Sequence, residues 1–434
     1  MAITGQSAAE IVDSVRAEVR SGALEPGQAL PPVRELAARL GVNRNTVAAA
    51  YKRLVVVGVA ETRGRLGTLI REPAAPGPRE GAAPDSPLMD LASGNPDPRW
   101  LPDPRALAAA LSGQPRLYGE PPVSPRLAAL AEPWFRDVPC PDPVLTVTHG
   151  AVDAIERLLT AHLVPADPVA VEDPCFLSSI HTLRLLGLRP MGVPVDGEGM
   201  TVDGLRQALA SGARAVLCTP RAHNPTGCNL SAGRAAALRQ VLAEYPDVLV
   251  IEDDHFAPLS RAEYQPLASS RSRHWAVVRS VSKCFGPDLR LALVVSDEDS
   301  ASRLGQRLAS GTAWVSHLLQ DMVASCLESS AVMARVTEAA ADYRRRRDTL
   351  SRALRDQGLC PWDGDGLNLW IPLPGPAAPV TAALARRGWL VRDDRPFRLG
   401  AGAGAGALRV TVTGLEPEVA SHFSADLARV LAAG

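Results

Sequence analysis

The sequence predicts an α/β protein preceded by a small helical module, and three observations point there. The first 72 residues hold three short amphipathic helical patterns followed by a hairpin pattern. Residues 73–87 are rich in proline. From Leu88 onward, short apolar runs alternate with Ala-, Leu- and Arg-rich helical stretches. At 434 residues the chain is too long for one ordinary core, so it divides into a module of 1–72, a linker of 73–87 and a domain of 88–434. The domain is expected to have a large part of about 88–310 and a smaller C-terminal part of about 325–434.

In the first module, Ser7 and Glu10 read as a capping box, and Ala8, Ile11, Val12, Val15 and Val19 follow at helical spacing. Pro31-Pro32 opens a second helix with Val33, Leu36, Ala37 and Leu40 on one face, and Gly41 ends it. Asn43 caps a third, whose apolar face is Val47, Ala50, Tyr51 and Leu54. The short connection is the tight corner of a helix-turn-helix. Val59 to Thr62 and Thr68 to Ile70 flank a basic, glycine-containing tip, as in a two-stranded hairpin.

The runs Leu30-Pro31-Pro32-Val33-Arg34-Glu35-Leu36-Ala37, Leu40-Gly41-Val42-Asn43-Arg44-Asn45-Thr46-Val47 and Ala50-Tyr51-Lys52-Arg53-Leu54 resemble the winged helix-turn-helix of the GntR regulators. The resemblance covers about Ser7 to Arg71. It implies that the third helix enters the DNA major groove by its N-terminal end, where Asn43, Arg44, Asn45 and Thr46 lie. It also implies phosphate contacts from Arg34 and from the wing at Arg63 and Gly64. Asn43 stands where the family commonly has Ser, and Asn caps a helix equally well.

Composition sets limits. The net charge is −1, so the molecule as a whole is no polyanion binder. Seven scattered cysteines without a Cys-x-x-Cys pair suit a reducing compartment and give no zinc spacing, and no metal is expected. The N-terminus lacks the pattern of a signal peptide, and no apolar run is long enough for a membrane span, so a cytoplasmic location is expected. Glu72 to Pro87, with five prolines, should be an extended or disordered tether spanning at most ~50 Å.

In the large domain four apolar runs each end in a polar cluster. Val144-Leu145-Thr146-Val147 leads to Thr148-His149-Gly150-Ala151 and a helix reaching about His162. Ala215-Val216-Leu217-Cys218 leads to Arg221-Ala222-His223-Asn224-Pro225-Thr226-Gly227. Val248-Leu249-Val250-Ile251 leads to Glu252-Asp253-Asp254-His255, and Trp275-Ala276-Val277-Val278 leads to Ser280-Val281-Ser282-Lys283. Ligand sites in open α/β sheets lie beyond the carboxyl ends of strands, so the four clusters should converge. Of the 46 Lys and Arg residues only Lys52 and Lys283 are lysines. A desolvated lysine amine can condense with an aldehyde, whereas a guanidinium stays protonated and cannot.

Taken singly, each cluster is ordinary: Asn-Pro-Thr-Gly makes turns, and Asp-Asp pairs sit on solvated loops. In this order and spacing they resemble the fold-type I pyridoxal-phosphate enzymes, particularly the class I and II aminotransferases, over about Leu88 to Gly434. The resemblance implies a mixed central sheet flanked by helices with a smaller C-terminal α+β subdomain, and pyridoxal 5'-phosphate as cofactor. Lys283 would hold the cofactor aldehyde as an aldimine, Asp253 would keep the ring nitrogen protonated, Asn224 would bond the ring 3-oxygen and Phe176 would stack on the ring. Gly150 and Ala151 at a helix start, with Ser280, Ser282 and Arg290, would hold the phosphate, and Tyr118 would reach it across a dimer interface. Arg409 would take a substrate carboxylate, and Ser93-Gly94-Asn95-Pro96 would close over the substrate. Two departures bear on transamination rather than on cofactor binding. His255 and Phe256 stand where a ring-bonding Tyr is usual, and Leu291-Ala292 follows Arg290 where Gly is usual.

A winged head on such a domain resembles the MocR/GabR group of GntR regulators. That implies a homodimeric regulator of a double-stranded DNA operator, responding to a small amine or amino-acid effector or to pyridoxal phosphate itself. A working aminotransferase with an appended DNA module is the other reading. Gly400 to Ala407 reads as a loop ahead of Arg409, and Arg344 to Arg347 as a solvated helix face.

Overall fold

The computed structural model describes residues 3–62, 67–71, 80–81, 86–109, 111, 115–400 and 406–433. It contains two compact units, Met1–Gly77 with Leu185–Gly187, and Pro78–Arg184 with Leu188–Gly434.

The first unit follows from local chemistry. α1 (Ala8–Arg20) starts at Ser7, whose hydroxyl accepts from the Glu10 amide at 3.3 Å. The Glu10 carboxylate reaches one residue further back than a capping box requires and accepts from the Gln6 amide at 2.8 Å. α2 (Val33–Leu40) stops at Gly41, which is left-handed at φ 67°. α3 (Arg44–Val56) starts at Asn43, whose side chain accepts from the Asn45 amide at 2.8 Å. Ile11, Val15, Leu36, Val47, Ala50 and Leu54 close the core between the helices. β1 (Ala60–Thr62) pairs antiparallel with β2 (Thr68–Ile70), and the Leu30 amide donates to Thr68 O at 2.8 Å, tying the hairpin to the segment before α2. The expected tip contacts, Arg63 and Gly64, lie outside the described residues.

In the second unit a short β3 (Met89–Asp90) precedes the main sheet. The sheet comprises β4 (Val144–Thr148), β5 (Pro168–Asp173), β6 (Arg189–Asp196), β7 (Gly199–Met200), β8 (Ala215–Cys218), β9 (Leu249–Asp253), β10 (His274–Ser280) and β11 (Ala292–Ser296). Their order is β4-β11-β10-β9-β8-β5-β6-β7, with β10, β9, β8, β5 and β6 parallel and β11 antiparallel to both its neighbours. β4 therefore runs with β10, and all four expected polar clusters leave the same edge. Asp253 and Ser280 close their strands instead of starting loops: Asp253 pairs in register with Val278, and Ser280 with Ala292. The apolar run ends sooner than the backbone ladder, which is indifferent to side-chain polarity.

A C-terminal layer holds β12 (Asn368–Pro372), β13 (Trp389–Leu390), β14 (Arg392–Asp393) and β15 (Ala407–Thr411). β12, β15 and β14 form an antiparallel sheet, while β13 pairs with β3. The helix Ser330–Asp356 puts Val336, Ala339 and Tyr343 into the main core, and Leu350 and Leu354 into the C-terminal core. This corrects the expectation for Arg344 to Arg347. Arg344 and Arg345 are exposed, but Arg346 and Arg347 lie where the two cores meet and are buried. Arg346 pairs with Asp342 at 2.9 Å, and Arg347 donates to the Asn368 and Trp362 carbonyls. Next to them the Asp365 amide donates to Gly227 O at 2.7 Å, and a Cβ on Gly364 would overlap that carbonyl.

At Gly41 an added Cβ would meet nothing within 4 Å, so substitution there costs backbone conformation only. Gly41→Ala is expected to destabilise the N-terminal unit by about 1 kcal/mol, read from the denaturant midpoint of that unit. An unchanged midpoint would mean that the corner does not need the left-handed geometry.

Candidate functional site

The sheet register brings the expected residues to one edge. Ala292 is paired with both Ser280 and Thr148, so the Ser280–Lys283 turn and Gly150 leave neighbouring positions. Gly150, at φ 98°, caps the twelve-residue helix Ala151–His162. A side chain there would press on the Arg290 guanidinium at 3.1 Å. Arg290 is itself left-handed, at φ 43°, and donates to His149 O at 3.2 Å. The Ser280 hydroxyl donates to the Ser282 hydroxyl at 3.1 Å. Helix amides, two hydroxyls and a guanidinium around a glycine make a cup suited to a phosphate.

Asp253 and Asp254 differ in kind. Asp254 is fully buried and is gripped by Arg221 at 2.7 and 2.8 Å and by Arg279 at 2.7 Å. It is a scaffold residue. Asp253 Oδ1 is buried without a hydrogen-bond partner among the described residues. Burial, with Asp254 and Glu172 adding repulsion, pushes its carboxyl up to about 7. An orphaned carboxylate oxygen here fits the N–H of a protonated pyridine ring, so the residues present suit pyridoxal phosphate. His255 Nδ1 lies 4.0 Å from that oxygen, also without a hydrogen-bond partner. Burial and the nearby Lys283 push His255 down to about 4, so it is neutral.

Lys283 is partly buried, and its Nζ donates to Gly94 O at 2.6 Å. Burial holds its pKa below the ordinary lysine value. Gly94 is left-handed at φ 65°, and its amide donates to Thr411 Oγ1 at 3.0 Å. Arg409, on β15, is fully buried with its guanidinium 5.0 Å from the centre of the Phe397 ring. Its Nη1 donates to Asn224 Oδ1 at 3.1 Å, and its Nη2 donates to Ala92 O. Phe176 packs with Leu177, Trp370 and Phe397. Tyr118 is 91 % exposed, its ring against Trp314, and does not join the cluster within one chain.

Sequence reasoning missed two features. The first is Glu80, expected to belong to a free tether. Its Oε2 accepts from Arg409 Nη2 at 2.8 Å, and its Oε1 pairs with Arg409 Nη1 and accepts from Asn224 Nδ2 at 3.1 Å. Burial opposes its charge, but Arg409 holds the carboxyl below the usual range. One acidic residue in a Pro, Ala and Gly stretch gives no sequence signal. The second is His223, named so far only as part of the cluster that follows β8. It is buried with Nε2 3.3 Å from Glu172 and Nδ1 2.7 Å from Thr226 Oγ1. Burial works against its charge, and Glu172 outweighs it and raises its pKa. In the other unit Arg34, Arg44 and Asn45 are exposed, Thr46 is half-buried, and the Asn43 side chain is engaged as a cap.

The two units define a class: a winged helix-turn-helix joined to a fold-type I domain of the kind that binds pyridoxal phosphate. Residues 86–426 match the aminotransferase class I and II family, and residues 7–70 match the bacterial regulatory proteins of the gntR family. The chain is 51% identical to the vitamin B6 salvage pathway transcriptional repressor PtsJ of Salmonella typhimurium, over 99% of each chain. It is 28% identical to the pyridoxine biosynthesis transcriptional regulator PdxR of Corynebacterium glutamicum, over 92% of this chain and 90% of that one. Among solved structures it resembles the kynurenine aminotransferase of Pyrococcus horikoshii at TM-score 0.71 and 20% identity, covering 80% of this chain and 92% of that one. The chain belongs to the GntR-family regulators of the MocR type. No described helix is long and apolar enough to cross a membrane.

The raised Asp253 carboxyl has a consequence in the cofactor-free chain. Between its unfolded value near 3.8 and its folded value of about 7, the folded state holds the extra proton. The stability this group contributes is therefore present at low pH and lost as pH rises through about 7. Asp253→Asn should stabilise the cofactor-free chain more near pH ~8 than near pH ~5, measured by urea denaturation. A gain independent of pH would show that Oδ1 already has a partner.

Proposed function

We propose that this protein is a cytoplasmic, homodimeric transcriptional regulator whose large unit binds pyridoxal phosphate and whose winged heads bind a double-stranded operator. One observation carries the reading. A single chain presents an exposed recognition-helix start at Arg44 and Asn45, and separately, along one sheet edge, a partly buried Lys283, an orphaned Asp253 carboxylate and a cup suited to a phosphate. A metabolic enzyme has no use for the first, and a sensor uses both. The relatives named for vitamin B6 salvage and pyridoxine biosynthesis support the cofactor itself as the signal, and by analogy with the former, repression as the output.

The cofactor, when bound, supplies an aldehyde carbon for a covalent bond to lysine and a ring that draws electrons. The protein's groups do the rest. Burial keeps Lys283 Nζ closer to its neutral, nucleophilic form than an exposed lysine. Asp253, with its orphaned oxygen, would accept the ring N–H, and Asn224 and the neutral His255 would serve the ring 3-oxygen. The Gly150–Ala151 helix start, Ser280, Ser282 and Arg290 would hold the phosphate, and Phe176 would cover the ring. Tyr118, exposed here, would serve a second subunit. Arg34, Arg63 and Gly64 grip DNA phosphates while Arg44, Asn45 and Thr46 read the groove.

A second reading, a working aminotransferase, has the convergence of Lys283, Asn224 and Arg409 in its favour. It predicts that amino acids convert the bound cofactor and that a keto acid restores it. Two measurements test the regulator. Borohydride reduction of the purified protein with added pyridoxal phosphate should leave a pyridoxyl group on Lys283 by peptide mass analysis, and its absence would overturn the cofactor site. Arg44→Ala should weaken operator binding by about 1–3 kcal/mol in fluorescence anisotropy, and unchanged binding would displace the recognition helix from the groove.

A further inference from the structure

The carboxylate on Arg409 belongs to the chain itself. Glu80 meets the guanidinium edge-on with both oxygens, and Oε1 also takes the Asn224 amide N–H. This is how a free carboxylate ligand would be received, by two parallel guanidinium bonds and one amide bond. The fit is close. A Cβ on Gly94 would lie 2.5 Å from Glu80 Oε2, so glycine is what leaves room for the carboxylate. The adjoining residue is fixed as well: the Gly81 amide donates to Ser93 O at 2.8 Å, and Gly81 O accepts from Arg392 Nη2 at 2.8 Å.

We infer that Glu80 is a built-in occupant of the Arg409–Asn224 clamp and sets the specificity of the site by excluding α-amino carboxylates. The inference rests on the proposed cofactor site and on Arg409 being the carboxylate clamp that the aminotransferase resemblance implies. A carboxylate on the same chain competes at an effective concentration of about millimolar or more, and the two bonds on Gly81 raise it by holding the segment in place. An amine without a carboxylate does not contend with Glu80. The aminotransferase scaffold is thereby kept from turning over free amino acids while the Lys283 and Asp253 side of the site stays available.

The test is calorimetric titration of the full-length chain, with and without pyridoxal phosphate, using L-alanine and ethylamine as probes that differ by one carboxylate. Glu80→Gln should bind L-alanine at least tenfold more tightly than the unaltered chain, with ethylamine unchanged. Glu80→Ala repeats the comparison without the residual amide, and thermal melting of each variant confirms folding. Equal L-alanine affinity with and without Glu80, or no L-alanine binding to either variant, would overturn the inference. Borohydride trapping on Lys283 keeps the two questions apart. A missing pyridoxyl group with the alanine gain intact would defeat the cofactor reading alone, and a present group without the gain would defeat only the role of Glu80.

Discussion

A fully buried guanidinium needs a counter-charge and hydrogen bonds, and the second unit supplies them to the two terminal nitrogens of Arg409, while its Nε has no hydrogen-bond partner among the described residues. β15 carries it, the turn after β8 supplies Asn224, the segment after β3 supplies the Ala92 carbonyl, and Phe397 covers its face. Ala92 and Asn224 lie far from Arg409 in the sequence, yet both are drawn in to solvate one charge. Glu80 completes the set with the only negative charge among these Arg409 partners. Lys283 joins through Gly94, which sits between the lysine and that carboxylate.

The two adjacent aspartates show how one strand end serves both structure and chemistry. Asp254 is overcommitted to two arginines, and Arg279 also lies over the rings of Phe135 and Tyr264. That lattice fixes the end of β9. Asp253, one residue earlier in a strand, points to the opposite side and is left with an empty oxygen. A rigid neighbour is what allows a destabilised carboxyl to persist.

What the sequence discloses here is what is decided locally. Ser7, Gly41 and Asn43 announce their caps because the capping group lies within a few residues of the amides it serves. The strand-end clusters are legible because apolar runs stop where the sheet meets a site, although the ladder carries Asp253 and Ser280 further than hydrophobicity suggests. Long-range electrostatics leaves no such trace. Glu80 sits in a stretch whose composition argues for a tether, and only the folded arrangement of Arg409 and Asn224 gives it a destination. Arg346 and Arg347 look like neighbours of Arg344 and Arg345 on a wet face. A helix that threads two cores buries one pair and exposes the other.

The close backbone approach of Gly364 to Gly227 has a mechanical meaning. The Asn224–Gly227 turn is welded to the start of the C-terminal layer through Asp365, which also accepts from the Ser260 hydroxyl at 2.6 Å. At this joint backbone meets backbone, with the Arg347 guanidinium packed alongside. The backbone bond to Gly227 thereby ties the C-terminal layer to the same turn that carries Asn224.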